Sequence, residues 1–448
     1  MSSPEELRAL ALDGAAPDER LASLEGKLAA DRNAGFTPPR TGEVNNHVHT
    51  IYSFSPYSPA EAAYGAWRAG LEAVGIIDHE SVAGCEEMLE AGRTIGIAAT
   101  SGCELRVDAA GTVLEGRRIN NPDSLGLLYM VIHGIPHGRR SEVESFLAPI
   151  RASRNARMEA QVDTLNGILA EASLPTLDFR TDVVDLSRSA EGGSITERHI
   201  LYALALKMES AHGRGDGLIT ALESSLGLRV PPNIAERLSD LENPHFHYDL
   251  LGLFKGALVP RFFRQPDSAE CPPIRQATEL AKQVGAIPCY AYLGDVDESP
   301  TGDKKAEKYE DAWLDELFDL LPRLGYQAVT YMPPRNTKAQ LARVKALCAD
   351  KGLMEISGVD INSSRQTFRC PEVTEPDFVH LNDRTWALIA HEHLASCGGP
   401  GLFDPTSPMV GAPLDIRLDV YARMGRRMDP RRPETILDAA RKEGLWNN

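Results

Sequence analysis

The sequence contains no apolar run of membrane-spanning length, no Cys-x-x-Cys pair and few aromatic residues, which make up 6% of its 448 positions. Each absence removes a class. With no stretch near the roughly 20 apolar residues a bilayer requires, no transmembrane helix is expected. The acidic, amphipathic start Met1-Ser2-Ser3-Pro4-Glu5-Glu6-Leu7 lacks the basic and apolar regions of a signal peptide. The seven cysteines (Cys85, Cys103, Cys271, Cys289, Cys348, Cys370, Cys397) are odd in number and scattered. They argue against a disulfide framework or structural zinc module and for a reducing cytoplasm. Positive charge is scarce, with 47 Lys+Arg against 64 Asp+Glu and a formal net charge of −17. Such a surface repels a phosphate backbone, so a nucleic-acid polymer is not an expected partner. Also missing are a glycine-rich phosphate loop, a Ser-His-Asp order and a dinucleotide fingerprint between strand and helix.

What is present is the composition of a globular chain, 42% hydrophobic and 25% charged, enough for a large core. Its length suits about three domains of roughly 150 residues, or a single α/β barrel with insertions. Leu7, Leu10, Leu21, Leu24 and Leu28 recur at helical spacing before the Thr37-Pro38-Pro39 breaker. From Glu43 short apolar runs alternate with longer amphipathic ones, the rhythm of a parallel β/α fold. Strands are expected over residues 44–49, 73–78, 97–104 and 127–133, with helices over 59–69 and 83–92. Residues 141–243 are helical in pattern, with Arg151, Arg154 and Arg157 on one helix, and read as an insertion. Alternation returns with helices over 274–284, 312–321 and 338–350 and strands over 286–292, 328–331 and 354–360. Helices over 386–393 and between 415 and 442 then form a C-terminal extension.

Asn46-His47-Val48-His49-Thr50 places two imidazoles two residues apart, on one side of a strand end, which makes a metal half-site. Asp78-His79 closes the second strand and Cys103-Glu104 the third. Active sites of barrels sit at the C-terminal strand ends, so His47, His49, His79 and Glu104 are expected at one mouth.

These residues resemble the polymerase and histidinol phosphatase (PHP) superfamily of metal-dependent phosphoesterases. The likeness is carried by His47-Val48-His49-Thr50, Ser58-Pro59, Gly75-Ile76-Ile77-Asp78-His79 and Gly102-Cys103-Glu104. It continues in Gly193-Ser194-Ile195-Thr196-Glu197-Arg198-His199-Ile200, in residues 285–294, and in Gly358-Val359-Asp360-Ile361-Asn362. The resemblance implies a distorted (β/α)7 barrel in two parts, 41–140 and 244–375. A helical insertion (141–243) divides it, and helical extensions (1–40 and 376–448) flank it. It further implies metal ligands His47, His49, His79, Glu104, His133 and Asp360, and catalytic roles for Arg198 and His199. The sequence departs from the family pattern at Ser55-Pro56-Tyr57, at Tyr292 and at Asn362. The fourth-strand histidine of the family falls near Tyr129, with His133 on the same strand face. One or two ions are therefore expected rather than three. A mixed imidazole and carboxylate set suits zinc or manganese, or iron, better than magnesium or calcium.

Tyr292, Asn362, His245 and His247 are expected to touch substrate, the last two from a second His-x-His before an apolar run. His391 and His393 diverge at a spacing of two on a helix and are read as structural or peripheral. Arg335, Lys338, Arg365 and Arg369 follow late strands and are candidates to hold an anion. The leading expectation is a cytoplasmic metal-dependent hydrolase that uses activated water on a small phosphate ester, such as a sugar phosphate or nucleotide. The alternatives are a carbonyl substrate (amide, lactone or ester) or a barrel that binds without turnover, its machinery erased at Pro56, Tyr292 and Asn362. Partners beyond a small anionic molecule, including an oligomer, are left open.

Overall fold

Small and β-branched residues bounded by helix caps and glycines give nine strands among the described residues. They are β1 (Val44–Val48), β2 (Ala73–His79), β3 (Ala98–Asp108), β4 (Leu127–His133), β5 (Ile287–Tyr292), β6 (Val296–Glu298), β7 (Lys305–Glu307), β8 (Ala328–Tyr331) and β9 (Met354–Ser357). The computed structural model describes residues 16–298, 305–307 and 309–446, so Leu7 and Leu10 of the expected N-terminal helix lie outside it. Seven strands form one nearly closed barrel in the order β1-β2-β3-β4-β5-β8-β9, and β6 pairs with β7 in a separate hairpin. The (β/α)7 architecture is thus as expected, with helices around it.

Period-two alternation divides the packing into two layers. Val74 and Ile76 of β2 face an outer core shared with the surrounding helices, while Ala73 and Ile77 face the barrel interior. One of those helices, Pro59–Ala69, starts where Ser58 Oγ accepts from the Glu61 amide at 3.2 Å and ends at Gly70, whose φ of 90° favours glycine. At the N-terminal end of the barrel, helix His380–Ser396 inserts Ala387, Leu388 and Leu394 among Val44, Ala98 and Met354. The opposite, C-terminal mouth is left for chemistry.

One strand breaks the expected parallel rhythm: β4 runs antiparallel to both β3 and β5. Residues 109–126, between β3 and β4, contain no helix. A parallel return needs a crossover of a dozen or more residues, usually helical, whereas a turn-rich link lets the chain fold straight back. The resulting ribbon climbs past the level of Glu104, pairing Arg106 with Tyr129 and Asp108 with Leu127.

The closing seam between β9 and β1 is sewn largely by side chains. The Asn45 amide donates to Val359 O at 3.0 Å and accepts from Val359 N at 2.8 Å, and Asn46 Nδ2 donates to Ser357 O at 2.9 Å. Above them His49 N donates to Ile361 O at 3.0 Å and Ile361 N to His47 O at 3.2 Å. The insertion begins with the 32-residue helix Arg140–Glu171 and has its own core, including Met158, Val162, Leu165, Leu201 and Leu204. Phe246, Leu250, Phe254 and Phe262 join it, so this helical layer continues past residue 243. Among the described residues no helix is long and apolar enough to cross a membrane.

Candidate metal centre

An irregularity in β1 creates the site. Asn45 pairs with Val74 but Val48 with Ile76, so β1 carries one residue more than β2 between those points. An extra residue inverts the alternation. Val44 therefore lies in the inner core and Val48 in the outer one, and His47 and His49 turn toward the interior at the mouth. The next element crowds in behind them: a Cβ on Gly358 would stand 2.5 Å from the Cβ of His47, which leaves room only for glycine.

β2 and β3 run in register, placing His79 directly opposite Glu104. His79 Nδ1 lies 3.0 Å from Glu104 Oε2, and the His79 ring lies over that of His49 with centroids 4.5 Å apart. One ligand atom each from His47, His49 and Glu104 falls within 4.8 Å of the others, and all three residues are buried. Burial, with the charges of His79 and His47, pushes the His49 pKa well below its ordinary value, so its ring is neutral. Burial works against ionisation of Glu104, but the hydrogen bond and charge of His79 prevail and hold its carboxyl below the usual range. Two imidazoles and a carboxylate converging in a buried nest are a fitting donor set for a divalent transition ion.

The tautomer of His49 follows from its neighbours. Ser53 Oγ lies 2.6 Å from Asp78 Oδ1, and a carboxylate can only accept, so the one hydroxyl proton points there. The 3.2 Å contact between Ser53 Oγ and His49 Nδ1 is then the ring N–H donating. Nε2, 3.3 Å from Asp360 Oδ1, keeps its lone pair. Asp78 is fixed in turn by the Thr50 amide at 2.7 Å and the Thr50 hydroxyl at 2.6 Å. Such outer partners orient a metal-binding imidazole. Asp78→Asn is accordingly expected to weaken zinc or manganese binding by about 10–100-fold, read by metal titration of the apo-protein; unchanged affinity would remove Asp78 from this role.

The other expected site residues divide. Asp360 and Asn362 reach the mouth, where Asn362 Nδ2 donates to Asp360 Oδ1 at 2.7 Å, and Arg198 lines the same cavity. His133 lies deeper, opposite Gly102 and Ile287, outside the converging trio. Neither of its ring nitrogens has a hydrogen-bond partner among the described residues, and burial lowers its pKa to about 3.

His199 stands apart. As the third residue of helix Glu197–His212 it turns its Nδ1 back to accept from the Thr196 amide at 3.1 Å, and its ring meets Phe54 edge-on at 5.0 Å. Burial, aided by the charge of Arg154, lowers its pKa to about 3, so the ring is neutral at neutral pH, with its one N–H on Nε2. Tyr292 faces away from the interior, because Cys289 and Ala291 take the inward positions of β5. Its hydroxyl donates to Asp311 Oδ1 at 2.7 Å instead of meeting substrate. His245 contacts Ser364 Oγ at 2.8 Å and His247 contacts Glu209 Oε2 at 2.5 Å, and neither lines the cavity. Of the late basic residues Arg335 alone lines it; Lys338 pairs with Glu375, Arg365 with Asp249 and Arg369 with Glu43.

The cavity lined by His49, His79 and Glu104 holds about 240 Å³. That is just below the roughly 300–1,000 Å³ of typical ligand pockets, which suits a small molecule. Two of its basic residues are not apparent from local motifs. Arg106 continues the inward face of β3 beyond Glu104, and Arg154 comes from the insertion. Both belong to a buried network: Arg106 Nη2 lies 2.5 Å from Glu270, Arg157 lies 2.6 Å from Glu270 and 2.9 Å from Glu197, and Arg154 pairs with Glu80. Glu80, directly after His79, has a φ of 45°, a strained value for a side chain with a Cβ. Arg154 and a 2.9 Å bond from Arg151 to the Glu80 carbonyl hold it there. The three-residue spacing of Arg151, Arg154 and Arg157 was the one sequence signal for this network.

No protein-family model matches the chain, and no curated protein matches it in sequence. Among solved structures it is similar to a candidate metal-dependent phosphoesterase of Bifidobacterium adolescentis, with 19% identity over 75% of this chain and 96% of that one, at a TM-score of 0.48. It is also similar to an amidohydrolase of Chromobacterium violaceum, solved with sulfate and no metal, with 15% identity over 76% of this chain and 96% of that one, at a TM-score of 0.49.

Proposed function

We propose that this chain is a metal-dependent hydrolase of a small phosphate ester, built on a PHP-type barrel and acting in the cytoplasm. The observation that carries the reading is the convergence of His47, His49 and Glu104 within 4.8 Å, beneath a cavity also lined by Arg198, Lys255 and Arg335. These cations give an anionic substrate a local attraction that the net charge of −17 opposes elsewhere. A divalent ion, zinc, manganese or iron, would lower the pKa of water toward about 7 and polarise the phosphoryl oxygen.

The protein groups have separate tasks. Ser53 and Asp78 keep the His49 lone pair directed inward, and His79 keeps Glu104 ionised. Arg198 is placed to bind an anionic oxygen through its planar fork. Phe54 and Leu201 line the same cavity and give it apolar surface beside the charged groups. One or two ions are consistent with this arrangement: Asp360 and His79 border the trio, whereas Asn362 supplies an amide where the family has an imidazole.

The test is a panel of phosphate esters and carbonyl esters, amides and lactones assayed with added Mn²⁺ or Zn²⁺, alongside metal quantification. Phosphate release from the first set is expected. Turnover confined to the carbonyl set would replace the phosphoesterase reading, and bound metal without turnover on either set would favour a binding barrel.

A further inference from the structure

The antiparallel β3–β4 ribbon and its connecting loop form a second wall of the cavity, away from the metal-binding trio. Arg106 is two residues beyond Glu104 on the same strand face, about 7 Å further along β3 at the usual strand rise, with Tyr129 opposite it. Asn121, Asp123 and Tyr129 line the cavity here. Their positions are set firmly. Asn120 Nδ2 donates to Tyr129 O at 2.8 Å and to Ala291 O at 2.7 Å, while Asn120 Oδ1 accepts from the Tyr129 amide at 3.0 Å. From the far side, Gln265 Nε2 donates to Asp123 O at 2.9 Å, and Ser124 Oγ donates to Gln265 Oε1 at 2.7 Å.

Within this anchored wall one amide has no partner. Asn121 is 1% exposed, its Oδ1 accepts from the Asp123 amide at 3.2 Å, and its Nδ2 has no hydrogen-bond partner among the described residues. A buried donor left unpaired is costly, and one in a cavity wall calls for a partner from within the cavity. Beside it the Tyr129 hydroxyl both donates and accepts, and the Asp123 carboxylate only accepts. Donor, acceptor and dual group together match hydroxyls, which need both.

The wall is not built for a second phosphate. Its cation, Arg106, is paired with Glu270 at 2.5 Å. The surrounding network sets the guanidinium groups of Arg106, Arg151, Arg154 and Arg157 against the carboxylates of Glu80, Glu144, Glu197 and Glu270, leaving no net charge. A neutral polar partner fits such a surface better than an anion.

We propose that Asn121, Tyr129 and Asp123 read the hydroxyl groups of a substrate whose phosphate lies at the metal-binding trio, so that the substrate is a monophosphate of a polyhydroxylated body. This rests on the phosphoesterase reading, and the experiment separates the two. The kcat/KM values for a hexose 6-phosphate and for a hexyl phosphate are compared in the metal-loaded parent, in Asn121→Leu and in Tyr129→Phe. Binding of the same two esters to metal-free protein is followed by calorimetry. The parent is expected to prefer the hexose ester at least tenfold in both measurements, and each variant to lose most of that preference. Leu125→Ser, on the exposed part of the same loop, is expected to retain it.

A parent without the preference, variants that keep it, or a stronger preference for a hexose bisphosphate would overturn the inference. If neither ester is hydrolysed but the binding preference is present and lost in the variants, the phosphoesterase reading fails and the hydroxyl subsite stands. If both esters are hydrolysed equally well, the subsite fails and the phosphoesterase reading stands.

Discussion

Glu104→Gln is expected to reduce affinity for zinc or manganese by more than about 100-fold, beyond the 10–100-fold typical of losing an outer partner, because a ligand itself is altered. The substitution keeps the size of the side chain and removes its charge. The imidazoles of His47 and His49 then face the ion without the carboxylate that completes the converging trio. His79, 3.0 Å from Glu104 Oε2, also loses its ionic partner. Hydrolysis at a fixed micromolar metal concentration should fall in step, by at least about 10³-fold if the ion supplies several kcal/mol of transition-state stabilisation. Metal quantification after dialysis and a rate assay with excess metal check both parts. Full occupancy in the variant would exclude Glu104 as a ligand.

The largest effect on stability is expected at Glu270, far from any local motif. Its carboxylate, with a side-chain exposure of 1%, receives Arg106 at 2.5 Å and Arg157 at 2.6 Å, whose side chains are 6% and 8% exposed. Glu270→Leu leaves two guanidinium groups buried without that partner, a change that costs about 3–5 kcal/mol when a buried pair is broken. Lys338 and Glu375 supply the contrast, because the same chemistry there is 68% and 43% exposed. Glu375→Leu should cost no more than about 1 kcal/mol. Urea midpoints of the two variants measure the difference, and equal losses would show that burial does not govern the strength of these pairs.

Local pattern made part of this site legible. His47 and His49 share a face because they are two apart, and His79 and Glu104 meet because β2 and β3 end in register. What escaped depended on pairings distant in sequence or on parity within a strand. The direction of β4 is fixed by what residues 109–126 fail to form, and that reversal sets the depth of His133 and the exposure of Tyr129. Tyr292 ends a predicted strand correctly, yet the inward places belong to Cys289 and Ala291. His199 sits in a readable motif, but whether a histidine at a helix start faces a cavity or caps its own helix depends on packing by Phe54. The pairing of Arg106 with Glu270 joins residues 164 positions apart, and no local rhythm announces it.

The seam between β9 and β1 has a mechanical meaning. Few backbone bonds cross it, and asparagine side chains carry much of the join. His49 stands on one bank and Asp360 on the other, 3.3 Å apart. Anything that grips both side chains acts as a clasp on the barrel, so occupancy at the mouth and closure of the cylinder are coupled quantities. A ligand bound there stabilises the folded chain by mass action, and the structural return is concentrated along the line where the barrel is least securely joined.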